Sequence, residues 1–378
     1  MSERPSVLVL SFSNIASDAR VLKQVRLLAQ DYDVTTCGHG PAPEGVTAHV
    51  EVPADRMAWV KDRRLLLLRR YAAVYRRNSA VSWAREHLPV GAFDVVLAND
   101  VEAVPLAVEL CPRGGVHADL HEYAPGQNSE LRRWRWFVAP YLRWLVRTRV
   151  RGADSFTTVA PTLARRYARD LGAPVNVVVN ATPYADLAPH PTARPVRLVH
   201  SGVAQRNRSL ELMIDAVEAS SSDVLLDLYL VPNDPVYTRE LEERVAGSAR
   251  VRVLPPVAYD DLVATLNRYD VGVFVLPPVN PNYAAALPNK LFDYVQARLG
   301  VVIGPSPEME EVVRGHALGT VTESFTAEAL RTILDGLDVE RVDEWRRASD
   351  RAARELSAEV RSRPWLDAVE ALVARRPG

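Results

Sequence analysis

Cysteine is almost missing from this chain. Cys37 and Cys111 are the only two in 378 residues, too few for a disulfide scaffold or a four-thiolate zinc site. The expected home is a reducing cytoplasm. Net charge is equally scarce, with 46 Lys and Arg against 47 Asp and Glu, so no global polycation draws the chain to nucleic acid. No stretch approaches the roughly 18 uninterrupted apolar residues of a membrane span, and the run Leu65–Leu68 is bracketed by arginines. Met1–Pro5 leads straight into a strand-like run, without the charged start and apolar core of a secretory signal. Several signatures are absent too: no G-x-G-x-x-G follows the first strand, and no P-loop, G-x-S-x-G elbow or H-E-x-x-H pair occurs. His121-Glu122 begins like the last of these, but residue 125 is Pro125.

What is present is ordinary globular material, 48% hydrophobic and 25% charged, which excludes a disordered or fibrous chain. A single core stops growing at roughly 250–300 residues, so this length predicts two domains. Short β-branched runs alternate with stretches of helical period. Ser6–Leu10 reads as a strand, Asp18–Gln30 as a helix, and Asp33–Cys37 as a strand. Asp94–Ala98 is a strand before the helical Val101–Leu110, and Val116–Leu120, Phe156–Val159 and Val175–Val179 complete a first series. Pro183, Pro189, Pro191 and Pro195 then mark a linker, because proline continues neither a helix nor a central strand. The series restarts with the strands Val196–Ser201, Val224–Leu230, Val251–Leu254, Val271–Leu276 and Val301–Ile303. Helices Ser209–Ala219, Thr238–Ala246, Tyr259–Asn267, Asn289–Arg298 and Glu308–Arg314 are expected between and after them, then a mostly helical tail from Thr326. Continuous apolar strands suit a parallel sheet covered on both faces. The expected class is α/β, with two Rossmann-like doubly wound domains facing across a cleft. Residues 1–185 would form one, 186–355 the other, and 356–378 a helix returning to the first.

Ligands of such sheets bind beyond the carboxyl ends of the strands. The loop after the first strand carries Asn14, Asp18 and Arg20. Small polar residues there let backbone amides approach a ligand at a helix start, while capping alone also explains Asp18. His121 and Glu122 follow another strand, where an imidazole can bond a sugar hydroxyl or stabilise charge. Gly202, Arg206 and Arg208 make a plausible diphosphate cradle before a helix, or simply a solvated basic loop. The most informative stretch is Leu287-Pro288-Asn289-Lys290-Leu291-Phe292-Asp293-Tyr294. Proline suits a first helical turn, Lys290 can reach an anion at the helix end, and Asp293 shares its face and could bond ribose hydroxyls. A surface salt bridge is the plainer alternative.

Together with the two-half layout, these residues resemble the GT-B-fold glycosyltransferases, specifically the glycosyltransferase family 4 group. The resemblance spans the chain: Asp18-Ala19-Arg20-Val21, the strand-end His121, the strand end at Asn180, Gly202 with Arg208, and Leu287–Tyr294 followed by Val301–Val313. It implies transfer of a sugar from a nucleoside diphosphate sugar to an acceptor, with retained anomeric configuration, no cofactor beyond that co-substrate and no catalytic metal. The second half would hold the donor and the first the acceptor. His121, Arg208 and Lys290 would be catalytic; Asn14, Asp18, Arg20, Glu122, Gly202, Arg206, Asn289 and Asp293 would bind substrate. Ala285 departs from the pattern, standing where a first acidic residue is usual, and Arg298 replaces a customary glycine.

The acceptor would be a glycan, a lipid-linked glycan or a natural product. An epimerase or hydrolase of nucleotide sugars, or a non-catalytic nucleotide-sugar-binding partner, are the competing readings. Two basic-aromatic segments, Arg56–Arg77 and Arg132–Arg151, could rest on the inner face of a membrane. Equally, their arginine stems could cover apolar surface.

Overall fold

The computed structural model describes residues 4–375. The chain divides into two compact units. One comprises the chain up to Val179, the short segment Asn280–Asn282 and everything from Ser362 on; the other comprises Asn180–Val279 and Tyr283–Arg361.

The first unit is built on seven strands: β1 (Ser6–Asn14), β2 (Asp33–His39), β3 (Ala48–Glu51), β4 (Val95–Asn99), β5 (Gly115–Leu120), β6 (Ser155–Thr158) and β7 (Asn176–Val177). They run in the order β3-β2-β1-β4-β5-β6-β7, and every pairing is parallel. Successive side chains of β1 point to opposite faces. Val7 and Val9 enter one core with Val25, Leu28 and Val369; Leu8 and Leu10 enter another with Val101, Val104 and Leu145. All five residues of β4 are buried, which is why these strands read as unbroken apolar runs rather than alternating ones. The last helix, Arg363–Val373, buries Trp365, Leu366, Val369 and Leu372. With Ala19–Leu28 it covers the Val7/Val9 face.

The second unit repeats the plan with β8 (Val196–Val203), β9 (Val224–Val231), β10 (Val251–Leu254), β11 (Val271–Phe274), β12 (Gly300–Ile303) and β13 (Gly319–Val321). The order is β10-β9-β8-β11-β12-β13, again all parallel. Each sheet reverses its winding once, at β1/β4 and at β8/β11, and those reversals open a crevice at the strands' carboxyl ends.

Three local outcomes differ from the pattern. β3 and β13 are short edge strands; β3 has no fully buried residue, so neither carries an apolar run to announce it. The expected strand Val175–Val179 shrinks to two residues. The basic-aromatic segments break into short pieces: helices Arg63–Leu67 and Tyr71–Arg76 in one, and a π-helical turn Trp134–Val138 running into Ala139–Thr148 in the other. Arg298 explains its own oddity. Its φ is +58°, a left-handed conformation that favours glycine after a helix. The strain is offset by a 1% exposed guanidinium that donates to Asp350 at 2.6 Å, to the Gln296 carbonyl at 2.6 Å and to the Ala185 carbonyl at 2.8 Å.

Candidate functional site

The carboxyl end of β8 delivers the chain to Gly202, then to a 3-10 turn at Arg206–Arg208 and the helix Glu211–Ala219. Next to it, beyond β11, the helix Asn289–Gln296 begins with Asn289 and Lys290 in its first turn. Lys290 approaches Gly202 so closely that a Cβ there would lie 2.5 Å from both Cε and Nζ. The ammonium sits 5.4 Å over the centre of the Phe274 ring. Beneath lies His200, fully buried and stacked on Phe274 with centroids 5.8 Å apart. Its Nδ1 is 3.0 Å from the Val273 carbonyl, so Nδ1 carries the proton and donates, leaving Nε2 a bare acceptor. That Nε2 has no partner among the described residues.

Charge here is unbalanced. Burial, then the Lys290 and Arg208 charges, push His200 down to about 3. Lys290 itself is lowered to about 7, first by loss of hydration and then by repulsion from Arg208, with Asp293 opposing. The Arg208 Nε is buried without a partner. Two cations, an open imidazole nitrogen and a glycine that admits close approach thus meet at one helix start and one strand end. This is the construction of an anion site.

The other residues singled out in this unit have partners of their own. The Asp293 carboxylate is 3% exposed and accepts from the Thr182 hydroxyl at 2.5 Å; it anchors its helix to the chain entering the unit. Arg206 turns outward to Glu240 at 2.5 Å and Asp234 at 3.9 Å, away from the Lys290 group. Ala285 is buried, and its methyl offers no hydrogen bond.

In the first unit Arg20 is 4% exposed. Its guanidinium forks onto Asp119, both contacts at 2.7 Å, donates to the Val178 carbonyl at 2.9 Å, and lies 4.6 Å over Trp365 of the last helix. Asp119 also accepts from Gln24 and Thr157 at 2.8 and 2.7 Å. Burial alone would raise its pKa, but Arg20 and these bonds hold it below the ordinary carboxylate value. Asp18 caps Ala19–Leu28, accepting from the amides of Arg20 and Val21. Both residues expected to meet substrate therefore have work inside the unit: a cap, and a buried ion pair. Asn14 ends β1 and is exposed. His121 follows β5, half-buried. Desolvation and the Arg20 charge lower its pKa against the pull of Glu122, Asp119 and Asp18, so Asp18, Arg20, His121 and Glu122 form one electrostatic neighbourhood. Glu122 is exposed and accepts from Gln127 at 3.0 Å.

His200 and Phe274 were not singled out in the sequence. The signal was there: a histidine two residues before Gly202, directly after the aliphatic pair Leu198-Val199 of its strand. No group of three or more His, Cys, Asp or Glu among the described residues could hold a metal ion. Among the same residues no helix is long and apolar enough to cross a membrane.

Two doubly wound parallel sheets in one chain are the architecture of the GT-B glycosyltransferase structures. No protein-family model and no curated protein matches the chain. Solved structures do. Sucrose-phosphate synthase from Thermosynechococcus elongatus matches with a TM-score of 0.72 at 12% identity, over 98% of this chain and 100% of that one. HepE from Anabaena, solved with UDP and glucose, matches with a TM-score of 0.69 at 14% identity, over 97% and 100%. An α,α-trehalose-phosphate synthase (UDP-forming) from Burkholderia xenovorans, solved with glucose-6-phosphate, gives 0.67 at 10%, over 97% and 100%. At such identities the likeness is one of fold.

Proposed function

We propose that this chain is a glycosyltransferase that moves a sugar from a nucleoside diphosphate sugar to an acceptor hydroxyl. The observation that carries the reading is the cationic group Arg208/Lys290, which forms no ion pair among the described residues, beside Gly202 and His200 at the winding reversal of the second sheet. Breaking the bond from the sugar to the diphosphate places negative charge on the β-phosphate oxygen. Fixed cations in a desolvated site stabilise that charge most effectively. Here Lys290 and Arg208 supply it, without a metal in that role. The partly deprotonated Lys290 regains its full charge when a phosphate arrives. Gly202 lets the diphosphate approach the backbone, and the Asn289–Gln296 helix start contributes its amides.

The leaving phosphate takes the acceptor proton, so the sugar is transferred with retained configuration and no dedicated base. His121 is assigned to the reacting sugar, and Glu122 and Asn14 to the acceptor. The structures of like fold named above include a UDP-forming enzyme and a UDP-bound protein, which makes UDP the first nucleotide to try. Calorimetric titration with UDP, ADP and GDP, followed by acceptor-dependent release of the nucleoside diphosphate, tests the proposal. Release without acceptor would point instead to hydrolysis. No binding of any nucleoside diphosphate would remove the reading.

A further inference from the structure

The winding reversal of the first sheet opens into a cavity of about 1210 Å³, larger than the roughly 300–1000 Å³ of most small-molecule sites. Phe12 and Ser13 at the end of β1 and Asn99 and Asp100 at the end of β4 form its sheet-side wall. The rest is dominated by aliphatic and aromatic groups, among them Leu66, Leu67, Leu131, Trp134, Phe137 and Val138. Most polar liners are already committed within the unit. Asn99 exchanges hydrogen bonds with Gln24 at 2.9 and 3.0 Å, Ser13 bonds Ser11 at 2.9 Å, Gln127 bonds Glu122, and Lys61 pairs with Glu102 at 3.2 Å. A free oligosaccharide, which needs many unspent donors and acceptors, would find few.

Two features stay unspent. The Asp100 carboxylate makes no hydrogen bond among the described residues and lines the cavity, and its backbone has φ of +65°. A non-glycine residue held in that conformation is a common mark of a functional site. Arg63, Arg132 and Arg133 also line the cavity and form no ion pair among the described residues. The single carboxylate among the liners near them in sequence is Glu130. The mouth is apolar as well: Trp59, Leu67, Leu131 and Phe137 are both liners and exposed, Trp59 to 63% and Leu67 to 65%. Soluble proteins seldom leave so much contiguous apolar surface uncovered.

We infer that this cavity takes an acceptor with an apolar body and an anionic group, the anion on Arg63, Arg132 and Arg133 and a hydroxyl on Asp100. The word acceptor rests on the transferase reading; the chemistry of the occupant does not. The test uses the full chain and fluorescence titration with anilinonaphthalene sulfonate, an apolar anion, beside its uncharged analogue phenylnaphthylamine. Arg132→Ala with Arg133→Ala should weaken the sulfonate about tenfold and leave the uncharged dye nearly unchanged. Phe137→Asp should weaken both dyes, while Leu68→Asp and Trp136→Asp, which are exposed but not liners, should weaken neither. Hydroxynaphthoate should displace the sulfonate at about tenfold lower concentration than naphthoate. That advantage should vanish in Asp100→Gly, a substitution that tolerates the backbone angle. Displacement by millimolar cellobiose would overturn the inference. So would equal losses in the Leu68 and Trp136 variants, which would mean adhesion of an apolar surface such as a membrane. UDP titration of the same variants reports separately on the donor site, so failure here and failure of the transferase reading can be told apart.

Discussion

Each sheet puts an arginine just after its first strand, and the two arginines live opposite lives. Arg20, after β1, is buried against Asp119 with a bidentate contact and a tryptophan face. Arg208, after β8, forms no carboxylate pair among the described residues, and its charge helps to lower that of the neighbouring Lys290. A guanidinium whose charge is answered inside the protein stabilises the fold. One that is crowded by like charge stores a preference for an anion. Position at a strand's carboxyl end does not separate the two, but the presence of a partner does.

The contrast can be broken most forcefully at Arg20. Arg20→Ala strands the buried Asp119, and removing one partner of a buried pair costs about 3–5 kcal/mol. Urea unfolding should show that loss, and an unchanged midpoint would end the structural account of Arg20. Lys290→Ala should do the reverse. Turnover with the true donor should fall about 10²–10³-fold, the usual cost of removing a preorganised charge donor. The melting temperature should hold or rise, because a desolvated, repelled ammonium is gone. Near-native turnover would dismiss Lys290 from catalysis.

Gly202→Ala introduces a Cβ 2.5 Å from Lys290 Nζ at a φ of +157°, a conformation an L side chain rarely adopts, so it should weaken UDP about tenfold and lower the melting temperature as well. Direct titration calorimetry measures this; undiminished affinity would mean that the close approach of the two residues does not matter for the ligand. The same instrument sharpens the comparison through pH. Lys290 is lowered to about 7, and a bound diphosphate raises it, so binding takes up a proton above that value. UDP affinity should therefore decline as pH rises from about 7.5 to 9.5, by at most tenfold per unit, and the slope should flatten in Lys290→Ala. A wild-type affinity flat across that interval would contradict the assignment. The smallest effect belongs to Arg206. Its ion pair with Glu240 is exposed, and water and salt screen such pairs until they contribute little. Arg206→Ala should leave both UDP affinity and the melting temperature close to wild type.

Much of this was legible in the chain itself. β1, β4, β8 and β9 announce themselves because a strand covered on both faces must be apolar at consecutive positions, and the proline cluster at 183–195 falls where the structure has no regular element until β8. That Lys290 and Gly202 belong to one site could be read from helix-start and strand-end chemistry, and the structure brings the two within contact. The internal partners of Asp293 and Arg20 could not be read from the same rules. Thr182 lies 111 residues from Asp293, and Asp119 lies 99 from Arg20, so no local pattern reveals that these groups are spoken for. The edge strands β3 and β13 were missed for a related reason: an edge strand is defined by the strand beside it more than by its own apolar content.

Hydrophobic periodicity and the punctuation of proline and glycine settled the class of fold, because they act within a few residues of chain. The folded chain alone decided which charges are neutralised. Whether a buried cation is mortar or lure depends on which distant segment packs against it, and that choice is made by the packing of sheets and helices rather than by any stretch of sequence.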